Sequence, residues 1–356
     1  MRPRVAFVSD AHEFAGAEHY LIFIIAGLRE RFEFVVLTGR QAAPELQDKV
    51  REAGGAFVTL GGLTRRPALG TPLRLARLLP AQRPALVHVN LSDQGDGIAG
   101  LLGGRLVRAP LLATLHNVIP GRAGVREAAS TALLRLPAEV IAVSDRIGRY
   151  LDRKGSRGVV IKNAVMPPQL DARARERLGL PAEAFVVGGI GRLHAQKAWE
   201  VLCRAAELVH ATRPEIQFVV VGEGPERDAL EREPSCAHVR FHGYVPDASS
   251  LLGGFDLLAI PSRYEGLGLV AIEGMLAGVP IVASDIEGLV EAIEGSGRLV
   301  PPEEPRALAH AILELADDPA GLRTLAEQAV SHARRSFPYE RMIDETARVY
   351  DRLIGA

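Results

Sequence analysis

Two glutamates lie eight residues apart on either side of a glycine-rich turn in the stretch 259–281. Glu265 comes directly before the turn at 266–268, and Glu273 lies in the first turns of a helix predicted over 269–277. Unpaired amides at the start of a helix attract phosphate groups. The two carboxylates can accept hydrogen bonds from ribose and sugar hydroxyls. The stretch therefore predicts a site for a nucleoside diphosphate sugar; a strand-to-helix turn with two surface glutamates is the alternative.

A second charged cluster occupies 191–197, where Arg192 and Lys197 follow a predicted strand. A leaving diphosphate gains negative charge as a glycosidic bond breaks, and fixed cations stabilise that charge. The chain contains four lysines against 38 arginines, so composition alone does not explain Lys197. Two fixed cations in such a loop could therefore stabilise an anionic leaving group, and two ordinary surface cations are the alternative.

Polar or small residues also follow three predicted strands in the first half of the chain. Gly16 lies in a loop of small residues that lets the backbone approach a ligand closely. Asp93 and Asp96 follow another strand, and His116 and Asn117 stand at the end of a third. Ligands bind at the carboxyl ends of strands in open α/β sheets, so these residues are candidate ligand contacts. Plain turns, helix caps and a structural histidine are the alternatives.

Runs typical of strands alternate with runs typical of helices along the chain, a pattern that predicts parallel sheets covered by helices. A length of 356 residues is enough for two such domains. We therefore predict an α/β fold of two doubly wound, Rossmann-like domains. The strands predicted for the first half are 4–9, 34–38, 56–60, 86–90, 111–116 and 140–143.

Composition narrows the class of protein further. Hydrophobic residues make up 47% of the chain and aromatic residues 5%, so Leu, Val, Ile and Ala must form the cores. Two cysteines, Cys203 and Cys236, predict neither a disulfide framework nor a metal cluster, which fits a reducing cytoplasm. The first residues lead into a strand rather than a signal peptide, and the apolar run 21–28 is too short to span a bilayer.

Charge is unevenly distributed, although the net charge is −1. Residues 1–165 contain 23 Lys and Arg against 14 Asp and Glu, whereas residues 166–356 contain 19 against 29. A basic first half suits an anionic acceptor or an anionic membrane surface, and mutual attraction of two domains explains the asymmetry equally well. Prolines interrupt the Arg- and Leu-rich segment 63–84, which we interpret as a solvated helix rather than a membrane-binding one.

These motifs together resemble those of the retaining family 4 glycosyltransferases over nearly the whole chain. The glutamate pair matches the family's E-x7-E motif, and 191–197 matches its G-R-x(n)-K element. His116 matches the histidine of a T-x-H element, and Gly16 matches one glycine of a G-G-x-E loop. The chain departs from the family in having alanine where glycine is usual, at Ala15, Ala164 and Ala198.

The resemblance implies a role for each matched residue. Arg192 and Lys197 would hold the donor diphosphate, Glu265 and His116 the transferred sugar, and Glu273 the ribose. The other donor-binding residues implied are Gly16, Gly191, Val245, Gly266, Leu267 and Gly268, of which Val245 meets the base through its backbone. The candidate acceptor contacts are Asp93, Asp96 and Asn117.

The architecture implied by the resemblance is the GT-B fold, in which two Rossmann-like domains face each other across a cleft. We predict an acceptor-binding domain at 1–165 and a donor-binding domain at 166–336. A C-terminal helix at 337–356 would cross back to the first domain. We interpret the basic loop 121–126 as a flexible lid over the acceptor.

The implied reaction moves a hexose-type sugar from a nucleotide-diphosphate sugar to a hydroxyl acceptor with retention at the anomeric carbon. In the family's front-face mechanism the leaving phosphate oxygen takes the acceptor proton, and we find no well-placed carboxylate nucleophile. No D-x-D motif is convincingly placed, so we expect a metal-independent hexosyltransferase without a cofactor. The expected co-substrate is a UDP-sugar, with a GDP-sugar as the alternative. A sugar-nucleotide epimerase and a non-catalytic nucleotide-sugar-binding partner subunit remain open.

The implied partners are the nucleotide sugar and an acceptor that is a small molecule, a lipid-linked molecule or a polysaccharide. No segment resembles a nucleic-acid-binding motif. We expect a cytoplasmic protein, with peripheral contact at the inner face of the membrane as a further option. The base, the sugar, the acceptor and the oligomeric state stay open at this point.

Overall fold

The computed structural model describes residues 2–10, 14–39, 44–61, 63, 70–121, 129 and 131–355. The chain divides into two compact units, of which unit 1 contains Met1–Asn163 with Tyr339–Ala356, and unit 2 contains Ala164–Pro338. Each unit is built on one parallel sheet. The predicted fold class of two doubly wound, Rossmann-like α/β domains is therefore confirmed.

Unit 1 has a sheet of seven strands over the described residues. The strands are β1 Arg4–Ser9, β2 Glu33–Gly39, β3 Ala56–Leu60, β4 Leu86–Leu91, β5 Leu111–Leu115, β6 Glu139–Ala142 and β7 Gly158–Val160. Their order is β3-β2-β1-β4-β5-β6-β7, and all neighbouring strands are parallel. Because β1 pairs with both β2 and β4, the strand order reverses between β1 and β4, where such sheets bind ligands.

Helices connect these strands. Those described in unit 1 are α1 Gly16–Leu28, α2 Pro44–Glu52, α3 Thr71–Leu78, α4 Ile98–Arg105, α5 Asp145–Arg153 and the last helix of the chain, α13 Tyr339–Ile354. Ser144 caps α5 by accepting a hydrogen bond from the amide of Ile147 at 3.3 Å. The helix α13 packs against α1 and β4, so the end of the chain belongs to the first sheet.

The sheet of unit 1 is covered on both faces, as alternation along β1 shows. Ala6 and Val8 belong to a buried cluster with Leu75 of α3 and Ala99 of α4. Phe7, whose side chain points to the opposite face, stacks on His88 of β4 with ring centroids 4.4 Å apart. Because both faces of the sheet are buried, its strands are nearly continuous apolar runs.

A buried polar network joins the last helix to the centre of this sheet. His88 Nδ1 lies 2.8 Å from the hydroxyl of Tyr350, and Nε2 lies 2.7 Å from the hydroxyl of Thr114. Burial lowers the pKa of His88 to about 3, so the imidazole is neutral. His88 thus forms hydrogen bonds through both ring nitrogens inside the core. These hydrogen bonds hold α13 against the sheet in addition to its apolar contacts.

Unit 2 repeats the same topology with six strands. They are β8 Val186–Ile190, β9 Gln217–Val221, β10 Val239–Gly243, β11 Leu257–Ile260, β12 Ile281–Ser284 and β13 Arg298–Val300. Their order is β10-β9-β8-β11-β12-β13, and all pairs are parallel. The strand order reverses between β8 and β11, so the loops that follow these two strands lie side by side.

The helices of unit 2 are α6 Ala174–Arg177, α7 Trp199–His210, α8 Arg227–Arg232, α9 Leu269–Leu276, α10 Glu287–Ile293, α11 Pro305–Asp317 and α12 Pro319–Ser336. Trp199 of α7 is 2% exposed and packs with Val187 of β8 and Val220 of β9. No helix in the described ranges is long and apolar enough to cross a bilayer.

The expectation that the two cysteines form no disulfide is wrong. Cys203 of α7 and Cys236 are joined, with the two Cα atoms 4.5 Å apart. They are separated by 33 residues in the sequence. The fold brings them together because α7 packs against the short turn Pro234–Cys236 that precedes β10. Both side chains are buried, so the bond lies inside the core of unit 2.

We expect Tyr350→Phe to lower the free energy of unfolding by about 1–3 kcal/mol, because His88 Nδ1 would lose its buried partner. Urea-induced unfolding measured by circular dichroism tests this value. Tyr339→Phe is the matched control, since its hydroxyl donates at 2.8 Å to the carbonyl of Phe23 in a less buried position. A loss for Tyr350→Phe no larger than that of the control would contradict the role given to the network.

Candidate functional site

Hydrogen bonds from both backbone and side chains join the loops that follow β8 and β11. The amide of Arg263 donates to the carbonyl of Gln196 at 2.8 Å, and the side chain of Gln196 donates to the carbonyl of Tyr264 at 2.9 Å. The Arg263 guanidinium also contacts the carbonyl of Ala195 and the carboxylate of Glu200. These contacts fix the relative position of two loops that are more than 60 residues apart in the sequence.

An ion pair links the predicted functional residues of the two loops. Lys197 Nζ lies 2.6 Å from Glu265 Oε1, with 16% of the lysine side chain and 9% of the glutamate side chain exposed. The Ser262 hydroxyl donates to the same Oε1 at 2.8 Å. The loop from Gly191 to Lys197 and the E-x7-E turn, predicted separately from the sequence, therefore form one charged site.

Trp199 shapes the loop that carries Arg192 and Lys197. Its indole N–H donates to the carbonyl of Arg192 at 2.9 Å. Ala198, where the family usually has glycine, adopts the left-handed conformation with φ of 52°. This φ explains why glycine suits the position, since an L side chain rarely adopts it.

Gly222 and Gly224, in the turn after β9, support the same loop by close backbone approach. A Cβ atom at Gly222 would lie 2.0 Å from the carbonyl oxygen of Gly191, and one at Gly224 would lie 2.3 Å from that of Leu193. The amide of Leu193 donates to the carbonyl of Glu223 at 2.9 Å. The turn therefore packs directly against the backbone of the loop that carries Arg192.

The turn before α9 places amides at the start of that helix. Gly266, Leu267 and Gly268 are buried, and Gly268 has a φ of 75° that favours glycine. The amide of Ala271 donates to the carbonyl of Gly268 at 2.9 Å. In general the first amides of a helix lack i−4 partners, and this property of helix starts suits an anion. Gly288 of α10 packs against the carbonyl of Glu265 and leaves no room for a Cβ atom.

Glu273 of α9 is a weak acid in this site. Desolvation raises its pKa to about 7, the positive charge of Lys197 acts against this rise, and the negative charge of Asp247 adds to it. Part of the Glu273 residue surface is still open to solvent, but the surrounding atoms desolvate its carboxyl. Glu273 is therefore a mixture of acid and carboxylate near neutral pH, able to accept hydrogen bonds in its ionised form.

Val245 follows β10 and is buried at 9% exposure, whereas Asp247, two residues later, is exposed. Asp247 adopts a left-handed conformation with φ of 50°. The electrostatic influence of Asp247 on Glu273 shows that the turn after β10 lies near the second glutamate. The sequence analysis did not identify Asp247.

Gly16 and His116 lie in unit 1, at the carboxyl edge of its sheet. Gly16 is the first residue of α1, and Glu18 folds back so that its carboxylate accepts from the amide of Ala15 at 3.1 Å. His116 follows β5 and is 8% exposed, with Nε2 placed 2.8 Å from Asn90 Oδ1. Burial lowers the pKa of His116 to about 3. The ring is therefore neutral and held from within the unit.

The candidate acceptor contacts form a tightly bonded loop at the same edge. Asp93 Oδ1 accepts from the amide of Gly95 at 2.6 Å, and Asn117 Oδ1 accepts from the amide of Val118 at 2.8 Å. Asp93 and Asp96 are each 6% exposed. These hydrogen bonds stabilise the turns that carry Asp93 and Asn117.

Gln94, which the sequence analysis passed over, holds the acceptor loop in place. Its side chain exchanges two hydrogen bonds with the backbone of Ile119, at 3.1 and 2.9 Å. Asp10 accepts from the amide of Gly97 at 2.9 Å and ties the loop after β1 to it. The predicted lid at 121–126 lies outside the described residues except for Gly121.

Several site residues were missed because their signal is a contact rather than a motif. Gln196, Ser262 and Arg263 act through partners in another loop, which local sequence does not reveal. Composition offered a signal for a further residue, because Trp199 is the only tryptophan of the chain. Within the described ranges no group of three or more His, Cys, Asp or Glu side chains is arranged to hold a metal ion.

We expect the stability difference between Glu273→Gln and the wild type to depend on pH. A folded pKa of about 7 lies above the ordinary value of 4.5, so the folded protein holds the proton more tightly than the unfolded chain. Stability from Glu273 is therefore present below about pH 4.5 and is lost as the pH rises through about 7. Relative to the wild type, Glu273→Gln should gain about 1–3 kcal/mol between these limits.

Urea unfolding at a series of pH values measures this difference. Glu207→Gln is the matched control, because Glu207 is an exposed glutamate on α7. A Glu273→Gln difference that is as flat with pH as that of the control would show that the carboxyl has an ordinary pKa.

Family comparisons match both units. Residues 14–167 match the description "Glycosyltransferase Family 4", and residues 184–318 match "Glycosyl transferases group 1". Among solved structures, Anabaena Alr3699/HepE in complex with UDP-glucose superimposes with a TM-score of 0.83 at 25% identity, over 98% of this chain and 99% of the other.

Two curated relatives extend the likeness. The D-inositol 3-phosphate glycosyltransferase of Thermobispora bispora is 34% identical over 203 residues, which are 52% of this chain and 47% of that protein. The chain thus aligns with about half the length of this relative. The D-inositol 3-phosphate glycosyltransferase 1 of Catenulispora acidiphila is 30% identical over 301 residues, which are 72% of this chain and 69% of the relative. With a relative matched over two thirds of both chains and a family match in each unit, the chain belongs to the family 4 glycosyltransferases, transferase enzymes of the GT-B fold.

Proposed function

We propose that this protein moves a hexose from a nucleoside diphosphate sugar to a hydroxyl acceptor with retention at the anomeric carbon. The observation that carries the proposal is the joining of Lys197 to Glu265 at the point where the strand order of unit 2 reverses. Cations, helix amides and carboxylates that meet there suit a diphosphate with ribose and sugar hydroxyls on either side.

The donor that we propose is a UDP-sugar, with a GDP-sugar as the alternative. The solved relative Alr3699/HepE is in complex with UDP-glucose and aligns with nearly all of this chain, which supports UDP. Val245, which we assign to the base, would use its backbone and thus does not by itself select between uracil and guanine. A panel of nucleotide sugars scored by thermal shift decides between them, because a ligand that binds only the folded state raises its stability.

Lys197 and Arg192 stabilise the departing diphosphate in this proposal, together with the amides of 266–268. Lys197 is paired with Glu265. A diphosphate would add negative charge beside the lysine and draw Nζ toward the phosphate oxygens. Fixed positive charge that is already in place costs little reorganisation during bond cleavage, so the clamp acts without a resident metal ion.

Glu265 and His116 hold the transferred sugar, and Glu273 holds the ribose. Neither glutamate is assigned as a nucleophile, because Glu265 is tied to Lys197 and Ser262, and Glu273 is partly protonated near neutral pH. In the front-face reaction the bond between the sugar and the phosphate oxygen breaks, and the acceptor oxygen attacks from the same side. The acceptor proton passes to the released phosphate oxygen.

We propose a division of labour between the units. Unit 2 binds the donor, and unit 1 binds the acceptor through Asp93, Asp96 and Asn117. Their carboxylate and amide groups suit an acceptor with several hydroxyls, whether a small molecule, a lipid-linked molecule or a polysaccharide. The helix α13 belongs with unit 1 and closes that domain.

We propose that the reaction takes place in the cytoplasm. The bond between Cys203 and Cys236 is the observation that weighs against this placement, since disulfides are rare in reducing compartments. Thiol titration of protein isolated from cells under alkylating conditions tests the point, and two alkylated cysteines would support a reducing compartment.

Peripheral contact with an anionic membrane is a further part of the proposal. It rests on one surface of unit 1 in which part of the segment 63–84, interpreted from the sequence as a solvated helix, lies beside α4. The helices α3 and α4 pack against each other, and a Cβ atom at Gly103 would press on the carbonyl of Pro72. We call their outward side the basic leucine surface, which consists of the exposed residues Leu73, Arg74, Arg77, Leu78, Leu102, Arg105, Leu106 and Arg108. Exposed leucines between arginines suit the interface of an anionic bilayer.

We expect Lys197→Met to lower kcat/KM for sugar transfer by about 10²–10³, because a cation that stabilises the leaving group is lost. The rate of product formation from the donor chosen by thermal shift measures the effect. Lys154→Met is the matched control, since that lysine lies in unit 1 beside the ring of Tyr150. An unchanged rate in a folded Lys197→Met protein would remove the clamp from the proposal.

The anomeric configuration of the product, read from its proton NMR coupling, tests retention in the same reactions. A donor that changes configuration without any acceptor would instead indicate an epimerase.

Lys197→Met leaves Glu265 without its cation, so thermal unfolding and UDP binding of this variant are measured alongside activity.

We expect the double variant Leu102→Ser/Leu106→Ser to sediment less with anionic vesicles than the wild type, because exposed apolar side chains contribute to interfacial binding. A several-fold loss of the bound fraction is the expected size. Leu208→Ser is the matched control, since Leu208 is an exposed leucine on α7 in unit 2. Equal sedimentation of wild type and double variant, or none by the wild type, would contradict membrane contact through this surface.

A further inference from the structure

All three asparagines of the chain lie around one histidine. They are Asn90, Asn117 and Asn163, and the 356-residue sequence contains no others. Asn117 follows His116 directly, whereas Asn90 and Asn163 contact the two ring nitrogens of His116 from other parts of unit 1. A residue type that is this rare and this clustered points to a chemical requirement at His116.

The contact with Asn90 determines where the imidazole carries its proton. The side-chain nitrogen of Asn90 donates to the carbonyl of Ala17 at 2.9 Å, so its oxygen is the atom directed at the ring. That oxygen lies 2.8 Å from His116 Nε2 and can only accept a hydrogen bond. His116 must therefore carry its proton on Nε2.

The contact with Asn163 fits the same tautomer. The side-chain nitrogen of Asn163 faces His116 Nδ1 at 3.5 Å, a long hydrogen bond in which Nδ1 accepts. Asn163 is 3% exposed, and its backbone N–H donates to the carbonyl of Val143 at 3.1 Å. Its own side-chain oxygen is buried without a hydrogen-bond partner among the described residues. Burial of an unpaired oxygen lowers the stability of the fold. The position of the Asn163 side-chain amide is therefore explained by its contact with the ring rather than by its own hydrogen bonding.

Among the described residues, Tyr20 and His88 are titratable neighbours of the ring on adjacent elements. Tyr20 of α1 and His116 meet edge to face with ring centroids 4.8 Å apart, and His116 helps to lower the pKa of His88 of β4 electrostatically. Tyr20 has a pKa raised to about 12 by burial, and His88 is neutral for the same reason. These two neighbours therefore keep one protonation state between about pH 5 and 9.

We infer that Asn163 is a positioning residue that, with Asn90, holds His116 as a neutral imidazole protonated on Nε2. His116 then orients the transferred sugar without gaining or losing a proton, and this part of the inference rests on the proposed function. Asn163 is also the last residue of unit 1, so the chain leaves the unit directly from this contact.

The tautomer can be read directly from the ¹⁵N shifts of labelled histidine. In the wild type we expect His116 to show a protonated Nε2 and a bare Nδ1, unchanged between about pH 5 and 9. Asn163→Asp places an acidic group against Nδ1 at nearly the same size, and we expect the ring to gain a second proton within this range. Transfer by Asn163→Asp should be at least tenfold slower than transfer by the wild type near pH 6. The rate of the variant relative to that of the wild type should rise with pH, because the ring then loses its second proton.

Asn163→Leu, which removes the polar contact without adding an acid, should slow transfer without this new pH dependence. UDP binding followed by the fluorescence of Trp199, which lies in unit 2, should be unchanged in both variants and reports that this unit is intact. A wild-type ring protonated on Nδ1, or an Asn163→Asp ring that stays neutral throughout, would overturn the inference even if transfer is slow. The expected tautomer together with failure to transfer from any nucleotide sugar would contradict the proposed function instead.

Discussion

The contact between Lys197 and Glu265 is the interaction on which the candidate site depends. It joins the loops after β8 and β11, which are neighbours only because the strand order of unit 2 reverses there. A largely buried ion pair contributes little net stability, but removal of one partner leaves an uncompensated charge. The Ser262 hydroxyl and the contacts of Arg263 hold the pair in one geometry. The pair is thus better explained by its place in the site than by the stability of the fold.

The chemistry of the two units differs in a way that follows from burial and charge. In unit 2 the charged groups Lys197, Glu265 and Glu273 share one site, and Glu273 has its pKa raised to about 7. In unit 1 two histidines are neutral instead, since burial lowers the pKa of His116 at the carboxyl edge, and of His88 within the sheet, to about 3. Charge suits a diphosphate, whereas neutral donors and acceptors suit sugar hydroxyls.

Much of this arrangement could be predicted from the sequence because it depends on local patterns. Continuous apolar runs placed β1 and β3 at the observed bounds. Glycine and polar residues after the strands predicted the edges at which we propose that ligands bind. The short edge strand β7 was missed, because three residues with one glycine carry little pattern. The segment around Asp247 was missed because its relation to Glu273 arises only when β10 and α9 are brought together.

Contacts between distant parts of the chain could not be predicted in the same way. The disulfide joins cysteines whose spacing matches no framework, and only the turn before β10 brings them into reach. The networks of His88 and His116 connect β4 to the last helix, to the end of unit 1 and to α1. The rarity of a residue type was the sequence signal that pointed to such contacts. Site residues occur among the four lysines and the three asparagines, and the single tryptophan is itself one.

A structure of the protein with UDP bound tests the central claim most directly. The account predicts that the diphosphate lies beside Gly191 and the amides of 266–268, with Lys197 Nζ about 3 Å from a phosphate oxygen. A diphosphate bound away from both loops, with the Lys197–Glu265 pair untouched, would contradict it.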